Sequence, residues 1–401
     1  ADAGVKILAR DCVVTTDSMT LADEVPVVLG QPELHEMAEP LTGWYRKYHR
    51  DLPWRHHPDP YRIWISEIML QQTRVEAVKK YYDRFLQALP TVKDLAEAPE
   101  DKLLKLWEGL GYYNRVRNMQ KAAIQIMEEY GGEFPADYEK ILELKGIGSY
   151  TAGAISSFAF GIPKPAVDGN VLRVISRVCA DDSDIMKQSV RSHMQECLQQ
   201  LMEIQQGLLI PRKFNQALME LGAMVCVPNG APHCEECPWN AFCEARLQER
   251  IDELPVKKKK AARRIEERTV FILRDGEKVA LHKRPGKGLL AGLYELPNCE
   301  QKLNQQEALQ YIEDLGYRPI RIVPLAEAKH IFSHVEWHMK GYAVLIEEPG
   351  REFPEEDSAK RDERRKCRQK ANELLFVEAS DARERYAVPS AFSAYWNAII
   401  E

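Results

Sequence analysis

Four of the nine cysteines fall within eighteen residues, as Cys226-x7-Cys234-x2-Cys237-x5-Cys243. No other feature of the 401-residue chain constrains its fold as strongly. The other five, Cys12, Cys179, Cys197, Cys299 and Cys367, are scattered, and the odd total does not read as a disulfide framework. Four thiolates at this spacing suit either zinc or a 4Fe-4S cluster. Structural zinc sites generally use two close pairs separated by a longer loop. Only Cys234 and Cys237 form such a pair here, which favours iron and sulfur. The basic and aromatic surroundings suit a structural element, and nothing beside it suggests an electron-transfer partner.

The chain is long enough for two or three domains, each with its own core. Apolar periodicity of three and four residues runs from Leu34 to about Ala245 and predicts a mainly α region. The texture then changes. Leu254 to Lys260 is charged and lacks apolar periodicity, so residues 256–265 read as a linker. Thr269-Val270-Phe271-Ile272-Leu273, a turn at Asp275-Gly276 and Val279-Ala280-Leu281-His282 then form a hairpin pattern. Residues 266–401 are expected to be a separate α+β domain, with Arg351 to Lys370 as a charged, exposed insertion. Residues 1–33 include a short strand pattern, Val25 to Gly30, and receive no function.

The net charge of −6 argues weakly against a nucleic-acid partner. DNA meets a face and not a sum, however, and basic residues cluster at Arg46-Lys47-Tyr48-His49-Arg50, Lys257 to Lys260 and Arg263-Arg264. No run of about eighteen apolar residues predicts a membrane span. The first thirty residues lack the basic-then-apolar order of a secretory signal, so an intracellular, cytoplasmic protein is expected.

Three constellations in the helical part carry chemistry. In Leu144-Lys145-Gly146-Ile147-Gly148-Ser149-Tyr150-Thr151-Ala152-Gly153, one helical run meets a Gly-x-Gly turn and a second helix follows. The N–H groups opening that helix suit a phosphate, which makes this a helix-hairpin-helix gripping the DNA backbone without reading sequence. An ordinary helical corner would use the same glycines. In Pro165-Ala166-Val167-Asp168-Gly169-Asn170-Val171, Asp168 is by itself a helix cap. Just past a phosphate-gripping hairpin, its carboxylate can instead face the deoxyribose of a flipped nucleotide and stabilise a sugar cation. In Trp64-Ile65-Ser66-Glu67-Ile68-Met69-Leu70-Gln71-Gln72-Thr73, Glu67 stands in an apolar helix, where an unpaired carboxylate is costly. A neighbouring arginine such as Arg74 would satisfy it. Left desolvated, it becomes an acid of raised pKa, able to protonate a leaving purine. One carboxylic acid for the leaving group and one carboxylate for the sugar is the logic of glycoside hydrolysis.

The order of Glu67 motif, hairpin, Asp168 motif and four cysteines resembles the helix-hairpin-helix DNA glycosylases, and within them the MutY type. The resemblance runs from about Leu34 to Trp396. It implies a helical catalytic region of two parts, residues 61–164 with the hairpin and residues 34–60 with 165–255 around a 4Fe-4S cluster held by Cys226, Cys234, Cys237 and Cys243. It implies excision of adenine opposite 8-oxoguanine or guanine in double-stranded DNA, by a bacterial, nucleoid-associated monomer. Glu67 would be the general acid and Asp168 the partner of the sugar cation, as stabiliser or transient nucleophile. Tyr150 stands where endonuclease III has its Schiff-base lysine, so a monofunctional enzyme without strong lyase activity is implied.

Further positions carry over. Asn170 would orient water or Asp168, while Gln216 and Arg55, after Trp54, line the base pocket. Gln72 and Tyr112 would wedge into the duplex, flanked by Thr73 and Leu110. Trp54 and Tyr112 could equally be core aromatics. In the C-terminal domain, Arg284-Pro285 and Leu289 to Pro297 match the family's Nudix-like core, and Phe332-Ser333-His334 its 8-oxoguanine recognition loop. A working Nudix box ends in Arg-Glu-x-x-Glu-Glu-x-Gly. Leu309-Gln310-Tyr311-Ile312-Glu313-Asp314-Leu315-Gly316 lacks the arginine and the first glutamate, which implies a binding module without hydrolase activity. The loop between the first two cysteines, Val227 to His233, is one residue longer than is usual in the family, and is expected to bulge outward at Pro228, Asn229 and Gly230.

Overall fold

The computed structural model describes residues 31–204, 209–257, 262–347 and 373–399. The segment 1–30 with its strand pattern, most of the Lys257–Lys260 run and the charged insertion 351–370 lie outside the described residues. The described chain forms two compact units, one of residues up to 97 and 118–257, the other of residues 98–117 and 262 onward.

The first unit is helical. It contains α1 (Gln31–Tyr48), a 3-10 turn Pro53–Arg55, α2 (Pro60–Leu70), α3 (Val75–Ala88) and α4 (Val92–Glu97). After α5 (Glu100–Trp107), which groups with the second unit, come α6 (Asn114–Tyr130), α7 (Tyr138–Leu142), α8 (Ser149–Ala159), α9 (Gly169–Val178), α10 (Gln188–Ile204), α11 (Pro211–Met224) and α12 (Glu244–Leu247). Among the described residues, no helix is long and apolar enough to cross a membrane.

Helix α2 starts where Asp59 accepts a hydrogen bond from the Arg62 backbone N (2.7 Å) and Pro60 takes the first helical position. Its residues from Ile63 to Met69 are all buried, so it is a central helix rather than an amphipathic one. Helix α8 is buried just as continuously, from Thr151 to Phe158, and packs against α2. Gly153 permits a close approach, since a Cβ there would fall 2.1 Å from the Pro165 carbonyl oxygen. Helix α11 packs on α1, α8 and α9, and the cysteine segment lies against that core.

The second unit is built on a seven-stranded sheet ordered β3-β2-β1-β6-β5, from β1 (Arg264–Asp275), β2 (Lys278–Lys283), β3 (Tyr294–Glu295), β4 (Asn298–Cys299), β5 (Arg318–Ile331), β6 (Val335–Glu347) and β7 (Leu374–Glu378). Strands β4 and β7 pair with β1 and β2 off this path. The hairpin expected from sequence is present, with Asp275 paired to Lys278 and Gly276 at φ +58°. Asp275 thus ends the ladder, and Gly276 and Glu277 form the centre of the turn. Strand β1 also pairs in parallel with β6. Alternation sends Val270 and Ile272 to one face and Phe271 and Leu273 to the other, and both faces are covered, which explains the unbroken apolar run. Helix α13 (Gln305–Asp314) covers the second face, opened by a capping box between Asn304 and Glu307.

Residues 98–117 are tied into this unit by their own polar groups. Lys105 Nζ donates to the carbonyls of Arg383 (2.6 Å) and Tyr386 (3.1 Å), Arg117 Nη2 to that of Ala291 (2.6 Å), and Glu108 Oε1 accepts from Val388 N (2.8 Å).

Candidate active site

Glu67 faces the interior of the helical unit and is 5% exposed. Its partner is not Arg74 but the hydroxyl of Tyr150, which donates a short hydrogen bond to Oε2 from the first turn of α8. Among the described residues no salt bridge reaches Glu67. Burial pushes its carboxyl up to about 7, the nearby Asp168 charge adds to the rise, and Tyr150 and Arg55 oppose it. Burial and the two carboxylates raise Tyr150 well above its ordinary value, which keeps the phenol a donor.

Asp168 is both cap and candidate catalyst. Oδ1 accepts from the backbone N of Asn170 (2.9 Å) and Val171 (2.8 Å), capping α9, while Oδ2 accepts from Asn170 Nδ2 (2.8 Å). Burial pushes this carboxyl up against those hydrogen bonds and the Arg173 charge. Asn170 is held in turn, because its Oδ1 accepts from Arg173 Nη2 (2.8 Å). Arg173 also donates to the carbonyls of Gly222 (2.7 Å) and Cys226 (2.8 Å). A Cβ at Gly222 would stand 2.6 Å from that of Asn170, so glycine there allows α11 its close approach to α9.

The hairpin turns at Gly146, with φ +78° and its Cα against Asn118, where a Cβ would meet the side chain at 2.6 Å. Gly148 has an ordinary φ of −100° and open space beside it, so its lack of a side chain clears the N-terminus of α8 instead of making the turn.

Gln216, buried on α11, accepts from the Tyr45 hydroxyl (2.9 Å). Arg55 donates to the Glu220 carboxylate (2.6 Å) and the Arg50 carbonyl (3.0 Å). Of the run Arg46–Arg50, the first four residues are exposed and Arg50 turns inward to Glu220. Trp54 is buried edge-on against Tyr82, and Leu110 is buried too. Their apolar bulk fills space between elements. Gln72 is exposed and Thr73 half-buried. Both wedge candidates are non-glycine residues in the left-handed region, Gln72 at φ +59° and Tyr112 at φ +48°. Such positions cost energy, and both side chains are exposed.

In the sheet unit, Phe332 N donates to Val335 O (2.8 Å), which puts Ser333 and His334 at the exposed tip between β5 and β6. Phe332 packs edge-on against Trp337 (4.8 Å between centroids). The Tyr112 and Ser333 hydroxyls, both in this unit, share a hydrogen bond of 2.8 Å. Arg284 pins the loop of the core signature through the Leu289 carbonyl (3.0 Å) and Glu295 (2.5 Å).

The four cysteines line one cavity with apolar walls and two arginines, Arg177 and Arg246. Arg177 Nη1 donates to Cys226 Sγ at 3.3 Å. Among the described residues no three His, Cys, Asp or Glu side chains are set to hold a single metal ion. The loop Val227–His233 does bulge outward, with Pro228, Asn229 and Gly230 exposed and Gly230 at φ +76°.

Sequence reasoning missed Tyr45, Arg173 and Glu220. Glu220 carried a readable mark, since it follows Gln216 by four residues on one helix face amid apolar neighbours.

The HhH-GPD superfamily base excision DNA repair protein model matches residues 65–200, and a NUDIX domain model matches residues 269–398. The adenine DNA glycosylase of Rattus norvegicus is 35% identical over 365 residues, covering 77% of this chain and 70% of the relative. That of Buchnera aphidicola subsp. Baizongia pistaciae is 34% identical over 310 residues, covering 76% and 85%. The chain belongs to the MutY-type adenine DNA glycosylases. It is a hydrolase of N-glycosyl bonds in base-excision repair. Among solved structures, a thermostable thymine-DNA glycosylase aligns at 30% identity and TM-score 0.48, covering 54% of this chain and 98% of that one.

Proposed function

We propose that this glycosylase removes adenine paired with 8-oxoguanine or guanine in duplex DNA, through Glu67 and Asp168. The observation that carries the reading is Glu67, buried without a cation bonded to it, bonded to Tyr150, and ordinarily protonated up to about pH 7. Tyr150 occupies Oε2, which leaves Oε1 to carry a transferable proton. Glu67 gives that proton to N7 of the extruded adenine. The bond from C1′ to N9 breaks and its electron pair goes to the base. Asp168, held by Asn170 and two backbone N–H groups, meets the resulting sugar cation as counter-ion or transient nucleophile. Water adds to C1′, its proton leaves, and an abasic site remains. Tyr150 has no amine with which to form an imine, so strand cleavage does not follow.

Gly146 and Gly148 would grip the backbone, and Gln216 and Arg55 would hold the base. Gln72 and Tyr112 would fill the gap it leaves. Phe332, Ser333 and His334, at the tip of the β5–β6 hairpin, would read the opposite 8-oxoguanine. The helical parts 34–60, 61–164 and 165–255 would serve excision and the 266–401 domain recognition, in a monomer working in a bacterial cytoplasm. Cys226, Cys234, Cys237 and Cys243 would hold a 4Fe-4S cluster. The four cysteines line one shared cavity, and four thiolates are the donor set that such a cluster takes. When bound, the cluster would supply a structural crosslink between the segment just after α11, which holds Cys226, and the loops that hold Cys234, Cys237 and Cys243.

Single-turnover excision from a duplex with adenine opposite 8-oxoguanine, with thymine opposite guanine as control, tests the reading. Release of adenine alone supports it, and release of thymine alone overturns it.

A further inference from the structure

Glu220 lies one helical turn beyond Gln216 on α11 and is fully buried. Its two oxygens serve two arginines. Oε1 accepts from the backbone N (2.9 Å) and Nε (2.7 Å) of Arg50, and Oε2 from Arg50 Nη2 (3.1 Å) and Arg55 Nη2 (2.6 Å). The Arg55 guanidinium lies 5.7 Å from the centre of the Tyr45 ring, and the Tyr45 hydroxyl reaches Gln216. Arg212 donates to the Arg55 carbonyl. One carboxylate thus fastens the turn Pro53–Arg55 and the segment after α1 to the helix that carries Gln216.

The turn that carries Arg55 packs on α2, the helix that carries Glu67, and the Arg55 charge opposes the rise of the Glu67 carboxyl. An uncancelled cation there would favour the carboxylate and strip Glu67 of its proton. We propose that Glu220 is a positioning residue that fixes Arg55 beside the base pocket and cancels its charge, so that Glu67 remains an acid. This rests on the reading of Glu67 as proton donor. The groups that act on Glu67 are Tyr150 from α8, Asp168 from the start of α9, and Arg55 from the turn; the Asp168 charge favours the protonated state, the Tyr150 hydroxyl opposes it by donating to the carboxylate, and Arg55 alone of the three supplies a positive charge. Glu220 itself is held down to about 2 by its arginines, so its charge stays constant across the range in which Glu67 titrates. A neutral side chain of the same shape could hold Arg55 in place, but could not cancel it.

The test is the pH profile of single-turnover excision on the 8-oxoguanine–adenine duplex, for wild type, E220Q, E220D, R55Q and the E220Q/R55Q double variant. In E220Q the alkaline limb is expected to move to lower pH, so that the rate falls about three- to tenfold more at pH ~8.5 than at pH ~5.5. E220D keeps the charge and holds the limb near its wild-type position. In the double variant the limb returns to the wild-type position or above, because the uncancelled cation is gone. A uniform loss in E220Q with an unmoved limb means a structural role only and overturns the proposal. If E220Q does not fold, R55Q decides, since its limb must move to higher pH. E67Q, profiled alongside, separates the two failures. Excision by E67Q with an intact limb sinks the reading of Glu67, whereas an inactive E67Q beside unmoved limbs sinks only the role of Glu220.

Discussion

Both units bury carboxylates, and they treat them in opposite ways. In the helical unit, Glu67 is buried and Asp168 half-buried, with a phenol, an amide and backbone N–H groups as hydrogen-bond partners, and both are pushed up. In the sheet unit, Glu295 is buried against Arg284 Nη1 (2.5 Å) and the His282 ring (3.0 Å) and is pushed down. Glu266, clasped by Arg268, Arg264 and the Trp337 indole, is also pushed down. Glu220 shows the second pattern within the helical unit. Burial alone therefore does not make an acid catalyst. Burial without a bonded cation raises a carboxyl, because desolvation of the charged form then outweighs the neutral hydrogen bonds and the unbonded charges that oppose it.

The comparison would break most visibly at Glu67. E67Q is expected to slow excision by about 10²–10⁴-fold while duplex binding, read by anisotropy, is kept. D168N should cost about 10²–10³-fold. Near-normal excision by either variant would mean that the cation-free carboxylates are not the reacting ones. At Glu295 the loss should appear in stability instead. E295Q strands Arg284, and denaturant unfolding should show a loss of about 2–4 kcal/mol, short of the fully buried case because Arg284 keeps some contact with water.

Acidity sharpens the contrast. Glu67 binds its proton more tightly folded, at about 7, than unfolded, at 4.5. Its contribution to stability is complete below the unfolded value and is lost as pH rises through the folded one. E67Q does not titrate, so its stability relative to wild type should rise by roughly 1–3 kcal/mol between pH ~5 and pH ~8. Glu295 has the opposite sign, with a contribution present above its unfolded pKa and lost as pH falls. Thermal melts of both variants across pH check the two slopes. Parallel slopes would erase the distinction between the units.

The sequence made the periodic elements legible, namely the helices from Leu34 onward and the hairpin of β1 and β2. It also marked Glu67 as an acid out of place. Its partner was not legible, because Tyr150 is 83 positions away and the pairing exists only once α2 and α8 pack. For Asp168 the two readings, cap and catalyst, proved compatible in one carboxylate, with Oδ1 on the helix N-terminus and Oδ2 on Asn170. Trp54 and Leu110 sit next to motif residues in sequence, but the chain turns them into the core. Glu220 was overlooked because a glutamate on a helix usually faces water, and only the arrival of Arg50 and Arg55 from a distant segment makes it buried and paired.

The smallest expected effect concerns the two wedge candidates, one in each unit. Gln71, at φ −60° and ψ 111°, and Gln72, at φ +59°, occupy the centre of a turn in which Thr73 N donates to Leu70 O (3.3 Å). That is a type II turn, whose third position ordinarily takes glycine or asparagine. Keeping a glutamine there costs about 1–2 kcal/mol of Cβ crowding. Q72G removes that crowding but adds glycine's extra chain entropy, about 0.5–1 kcal/mol, so a net gain of about 0.5–1 kcal/mol is expected in thermal unfolding. Excision should fall in the same variant, since the side chain that would fill the gap is gone. Tyr112 admits no such clean test, because its ring also lies under Arg115 and its hydroxyl bonds Ser333, so a glycine there would remove contacts along with strain. If Q72G melts below wild type, the turn is not strained, and the left-handed backbone at the two wedge positions is incidental to what they do.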